Sequence, residues 1–141
     1  MARKIKKTEP KRSSSEIKPS FIKTPPKGVS FSYKYLQTDH PKFSLAEREP
    51  AYLVALLERL RDVSSWASQE LMSNRSSALR CHPIDWDDTT EQCFGFPKEE
   101  EIVSIPYQFS LSSNEHGRVH GFFINEIFYI VWLDPDHKLY S

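Results

Sequence analysis

Gly117-Arg118-Val119-His120-Gly121-Phe122-Phe123-Ile124-Asn125-Glu126-Ile127-Phe128-Tyr129-Ile130-Val131-Trp132-Leu133-Asp134 carries the strongest structural signal in the chain. Two runs rich in β-branched and aromatic residues flank Asn125-Glu126. Asn tolerates the left-handed backbone that a two-residue hairpin turn demands, although the usual Gly partner is missing. A hairpin closed there sets Ile124 opposite Ile127, Phe122 opposite Tyr129, His120 opposite Val131 and Arg118 opposite Leu133. Because successive side chains alternate across a strand, Val119, Gly121 and Phe123 share an apolar face with Trp132, Ile130 and Phe128. That face is expected to be the core side, which leaves Arg118 and His120 together on a sheet surface. Past the second strand, Asp134, Asp136, His137 and Tyr140 are delivered to the end of the sheet where Arg118 sits. Taken singly, each is an ordinary solvated strand or tail residue; taken together they present a cation, two imidazoles and a phenol at one place.

On the amino-terminal side of this hairpin, Tyr107-Gln108-Phe109-Ser110-Leu111 alternates apolar and polar residues and predicts a third antiparallel strand, joined to it by a turn over 112–117. Between Pro50 and Asn74, Leu53, Leu56, Leu57, Leu60, Val63, Ala67 and Leu71 recur at helical spacing. Pro50 suits a first helical turn, and Ser64-Ser65 breaks the pattern, so a kinked pair or helical hairpin is expected, its second helix over Trp66 to Met72. Trp66 reads as a packing residue. Phe31-Ser32-Tyr33-Lys34-Tyr35-Leu36 alternates as a half-buried strand does. Residues 75–105 read as a long connector in which Arg80-Cys81-His82-Pro83-Ile84-Asp85-Trp86-Asp87-Asp88 is a surface turn or a binding loop. The expected fold is α+β: an amino-terminal strand, the helices, then a three-stranded antiparallel meander packed on them.

The chain has 141 residues and a formal charge of zero, but the balance hides a split. Residues 1–30 hold nine Lys or Arg against Glu9 and Glu16, so the 19 basic and 19 acidic residues divide into a +7 arm and a −7 body. The arm, residues 1–28, has too few apolar groups to offset ordering entropy and is expected to be disordered alone, with a single domain over 29–141. Lys4, Lys6, Lys7, Lys11 and Arg12 are its candidate contacts to nucleic acid. No stretch approaches the roughly 20 apolar residues of a membrane span and no secretory segment opens the chain, which points to a cytoplasmic protein. Cys81 and Cys93, the only cysteines, combine with His82 and His116 at no standard zinc spacing. No metal or cofactor is expected.

The order of elements, with Arg118 on the penultimate strand in Gly117-Arg118-Val119-His120-Gly121 and His137 with Tyr140 near the end of the chain, resembles the RelE-type toxin superfamily of bacterial type II toxin–antitoxin systems. In layout the resemblance covers residues 31–140. It implies a small α+β protein that cleaves mRNA, usually on the ribosome, without a metal. It also implies Arg118 as the phosphate-stabilising residue, His120 or His137 with Tyr140 as proton-handling groups, and a cognate antitoxin as partner. RelE-type toxins are generally basic, whereas this body is acidic. The charge split supports a second reading, a non-catalytic adaptor or regulatory subunit that binds nucleic acid or a protein through its arm. On a third, Trp132, Phe122 and Tyr129 form an exposed assembly patch.

Overall fold

The computed structural model describes residues 27–141 apart from 75, 77 and 114. Its elements are β1 (Ser30–Ser32), α1 (Pro50–Val63), α2 (Ser68–Met72), β2 (His82–Pro83), α3 (Glu99–Ile102), β3 (Pro106–Ser110), β4 (Arg118–Ile124) and β5 (Ile127–Asp134), with 3₁₀ turns at Trp86–Asp88 and Lys138–Tyr140. The arm read over 1–28, with Lys4, Lys6, Lys7, Lys11 and Arg12, lies outside the described residues except for its last two. No helix among the described residues is long and apolar enough to cross a membrane.

The β4–β5 hairpin closes at Asn125-Glu126. Asn125 takes φ 54° and Glu126 stays out of the positive-φ region, so only one turn residue bears the left-handed conformation and the second position needs no glycine. Glu126 uses that freedom. Its carboxylate accepts hydrogen bonds from the Ser68 N–H at 2.8 Å and the Ser68 hydroxyl at 2.7 Å, tying the turn to the start of α2, where a negative group is favoured.

Register follows the expected pairing from Ile124–Ile127 through Phe122–Tyr129 to Gly121–Ile130, then slips by one residue. His120 therefore faces Trp132 rather than Val131, and Arg118 faces Asp134 rather than Leu133. Val131 is the extra residue of a β-bulge, which turns Val131 and Trp132 to the same side of the sheet. Gly121 permits the close approach, since a Cβ there would run into the Tyr129 carbonyl oxygen and the Phe128 ring.

The expected three-stranded meander is only the centre of a five-stranded mixed sheet in the order β1-β5-β4-β3-β2. β1 joins as an edge strand parallel to β5, and the chain turns away after Ser32 instead of running to Leu36. β2, two residues out of the connector, pairs antiparallel with β3. It was invisible as periodicity because it is short and contains a proline.

Both faces of the sheet are covered. On one, the helix pair lays down Tyr52, Leu56, Leu60, Val63 and Leu71 against Phe109, Val119, Phe128, Ile130 and Leu133. The buried stripe of α1 falls at intervals of four, four and three residues; Leu53 and Leu57, which share the apolar pattern, face outward instead. On the other face, irregular segments bring Tyr35, Phe43, Trp86, Phe94 and Phe96 over Phe122, Val131 and Trp132. Phe43 stacks on Trp132 with ring centroids 4.5 Å apart. Gln37 stitches the layer down, accepting from the Trp132 indole N–H at 2.8 Å and donating its amide N–H to the Phe94 carbonyl at 3.0 Å. Trp132 therefore packs on the face opposite the helices, and the expected assembly patch is interior, with Phe122 and Trp132 fully buried.

Candidate functional site

The second aromatic layer changes the place of His120. Instead of lying on an open sheet surface beside Arg118, its imidazole is fully enclosed. His120 Nε2 lies 3.0 Å from Asp134 Oδ2, and the same carboxylate accepts the backbone N–H of Lys138 at 2.8 Å and of Leu139 at 3.0 Å. Burial holds the imidazole below its ordinary pKa, outweighing the opposing pull of Asp134. Burial would raise the Asp134 carboxyl, yet the hydrogen bond from His120 and the two backbone N–H groups bring it below its usual range. The arrangement is a neutral imidazole donating to a carboxylate that clasps the terminal 3₁₀ turn. It is a latch, and what it holds in place is Tyr140.

Tyr140 lies under the Arg118 guanidinium, 5.6 Å from ring centroid to Cζ. Arg118 is half-buried, and burial first, then neighbouring Arg80, lowers its pKa, although a guanidinium stays cationic. Its Nε is buried without a hydrogen-bond partner, and among the described residues its guanidinium forms no ion pair with a carboxylate. Burial also raises the Tyr140 phenol, against the influence of Arg118, so the phenol keeps its proton at neutral pH.

Gln108 connects this pair to a residue from the connector. It is fully buried on β3, opposite His120 on one side and His82 on the other. Its amide nitrogen lies 2.9 Å from His82 Nε2, and its side chain is near enough to Tyr140 to influence the phenol. His82 Nδ1 meets the Pro83 carbonyl at 2.9 Å. A carbonyl only accepts, so Nδ1 carries the proton and Nε2 takes one from Gln108. The Gln108 carbonyl oxygen is buried and unpartnered. β2 thus sets an exposed imidazole against Gln108, two residues along β3 from Ser110, the residue that pairs with Arg118.

Comparison of the chain with protein-family models, with characterised proteins and with solved structures found no match.

Of the four residues expected to converge, Arg118 and Tyr140 do. His120 lies beneath them in the latch. His137 is exposed, at the left-handed position that opens the terminal turn, φ 57°, and no hydrogen bond joins it to Arg118 or Tyr140 among the described residues. His82, Gln108 and Arg80 were not singled out from sequence, and Asp134, read there as part of the polar tail, was given no role. The concentration of ionisable groups over 80–88 was the available signal, and reading it as a surface turn passed it over. Among the described residues no three His, Cys, Asp or Glu side chains gather to hold a metal ion. Cys81 is buried, which pushes its thiol up to about 12, and Cys93 is exposed.

Proposed function

We propose that the chain is a metal-independent endoribonuclease of the RelE type, acting on mRNA, with the scissile phosphate held at Arg118. The observation that carries this reading is the half-buried Arg118 guanidinium, which lacks a carboxylate partner and lies over a protonated phenol beside a second arginine. A partly desolvated cation with no carboxylate in direct contact is costly, since the nearby Asp134 carboxylate is engaged by His120 and the terminal turn, and a phosphate oxygen supplies the contact charge through the planar donor fork. As the ribose 2′-hydroxyl displaces the Gln108 amide from His82 Nε2, that nitrogen takes the hydroxyl proton while its oxygen bonds to phosphorus. Tyr140 gives its proton to the departing 5′-oxygen as the P–O5′ bond breaks, leaving a 2′,3′-cyclic phosphate and a 5′-hydroxyl. His120 and Asp134 act at one remove, by fixing the turn that carries Tyr140. The acidic body would repel RNA, and in this reading the basic arm offsets that repulsion and directs the chain to RNA or the ribosome.

The test is RNA cleavage in excess EDTA, on free and ribosome-bound mRNA, by the full chain and by Arg118→Ala, His82→Ala and Tyr140→Phe. Each proton-transfer residue contributes about 10² to 10⁴-fold when lost, so the His82 and Tyr140 variants should fall by that order while remaining folded, and Arg118→Ala should lose activity with its hold on the phosphate. Unchanged rates in the His82 and Tyr140 variants would remove the assignment. RNA binding without cleavage by the wild-type chain would favour the adaptor reading, which the +7 arm supports.

A further inference from the structure

Away from this site, a groove opens between the 3₁₀ turn at Trp86, the segment around Cys93–Phe96, α3 and the start of β3. Trp86, Phe96, Val103 and Pro106 give it an apolar floor, Glu99 and Glu100 border it, and the Cys93 thiol lies on its wall. Both Glu99 oxygens are committed to the Phe94 and Gly95 N–H groups at 2.8 and 2.7 Å, which leaves Glu100, with Glu101 next to it, as the free charge. Apolar surface next to carboxylates fits a segment that pairs apolar side chains with lysines.

The chain carries such a segment in Ile17-Lys18-Pro19-Ser20-Phe21-Ile22-Lys23. Its point of attachment is favourable. Val29 N–H donates to the Trp66 carbonyl and Ser30 N–H to the Glu126 carbonyl, so the chain enters the fold at the hairpin-turn end of the sheet, the end where β3 also begins. Between that entry and the groove lie Ile127, Ile124 and Ile105, exposed by 36%, 38% and 49%. They form an apolar path across the strand ends. β1 and β3 are three strand spacings apart, about 14 Å, and the path also passes from the helix face, where Gly28 packs against Ser64, to the opposite face, about 10 Å away. The six or seven residues from Gly28 back to Ile22 and Phe21 extend about 20 to 24 Å, enough to bring both side chains to the groove.

We infer that the groove at Trp86, Phe96 and Val103 is the docking site for the Ile17–Lys23 segment of the same chain. Cys93 reports on it, because the buried Cys81 thiol is out of reach. The experiment compares the rate of Cys93 alkylation by iodoacetamide, an uncharged reagent, in the full chain and in Phe21→Ser/Ile22→Ser, which keeps the arm's charge and leaves residues 27–141 untouched. The variant should react at least fivefold faster. Glu100→Lys should shrink the difference between the two arm sequences to less than twofold. Rates equal within twofold in the starting pair would overturn the proposal, and so would protection that grows with protein concentration, since that places the arm of a second copy in the groove.

Discussion

Acidification should destabilise this fold through one buried imidazole, and His120→Gln should remove the effect. His120 is fully enclosed and donates to Asp134, and burial lowers its pKa below the ordinary value near 6.5. The unfolded chain therefore binds a proton on acidification that the folded chain resists, so stability is present above that ordinary value and declines as pH falls below it. For one proton the slope approaches about 1.4 kcal/mol per pH unit. Integrated from about pH 7 to about pH 5.5 the loss amounts to roughly 1.2 kcal/mol. Asp134 adds nothing in this window: its carboxyl is depressed, so its contribution is lost only at lower pH, below the ordinary carboxylate value near 3.9. Gln at 120 keeps an amide donor for Asp134 but does not titrate, and the other four histidines are common to both proteins and cancel. Urea unfolding followed by tryptophan fluorescence at the two pH values gives the comparison. Equal pH dependence in the wild-type and His120→Gln proteins would refute the buried, neutral imidazole and with it the latch.

Asp134→Asn should cost about 3 kcal/mol, since an amide cannot accept all three donors that converge on the carboxylate; amide exchange at Lys138 and Leu139 should accelerate, and RNA cleavage should fall as Tyr140 loosens. Gly121→Ala should cost about 3 kcal/mol in a thermal melt, because the added methyl meets backbone and the Phe128 ring at the bulge. Glu126→Gln should cost only about 1 kcal/mol, as its carboxylate is largely in water, with the loss seen as faster amide exchange at Ser68. An unchanged melt for Gly121→Ala would mean that the bulge is not where the register places it.

Local signals carried a good part of this molecule. Alternation on either side of Asn125-Glu126 produced the hairpin and its first pairs, the spacing of Leu56, Leu60, Val63 and Leu71 produced the helix pair with its break near Ser64, and proximity along the chain brought Arg118 and Tyr140 to one end. These features depend on neighbours a few residues apart, where side-chain period and turn chemistry act directly. The bulge at Val131, the two-residue β2, the parallel edge strand and the aromatic layer over Trp132 arise from contacts across long separations, such as Gln37 with Trp132 and His82 with Gln108. No periodicity encodes such pairings. That second layer is why His120, legible as a surface residue by alternation alone, lies inside, and the pairing of β2 is why His82, unremarkable in its loop, stands against Gln108. Alternation reports which side of a strand a residue takes; whether that side meets water depends on what distant parts of the chain fold over it.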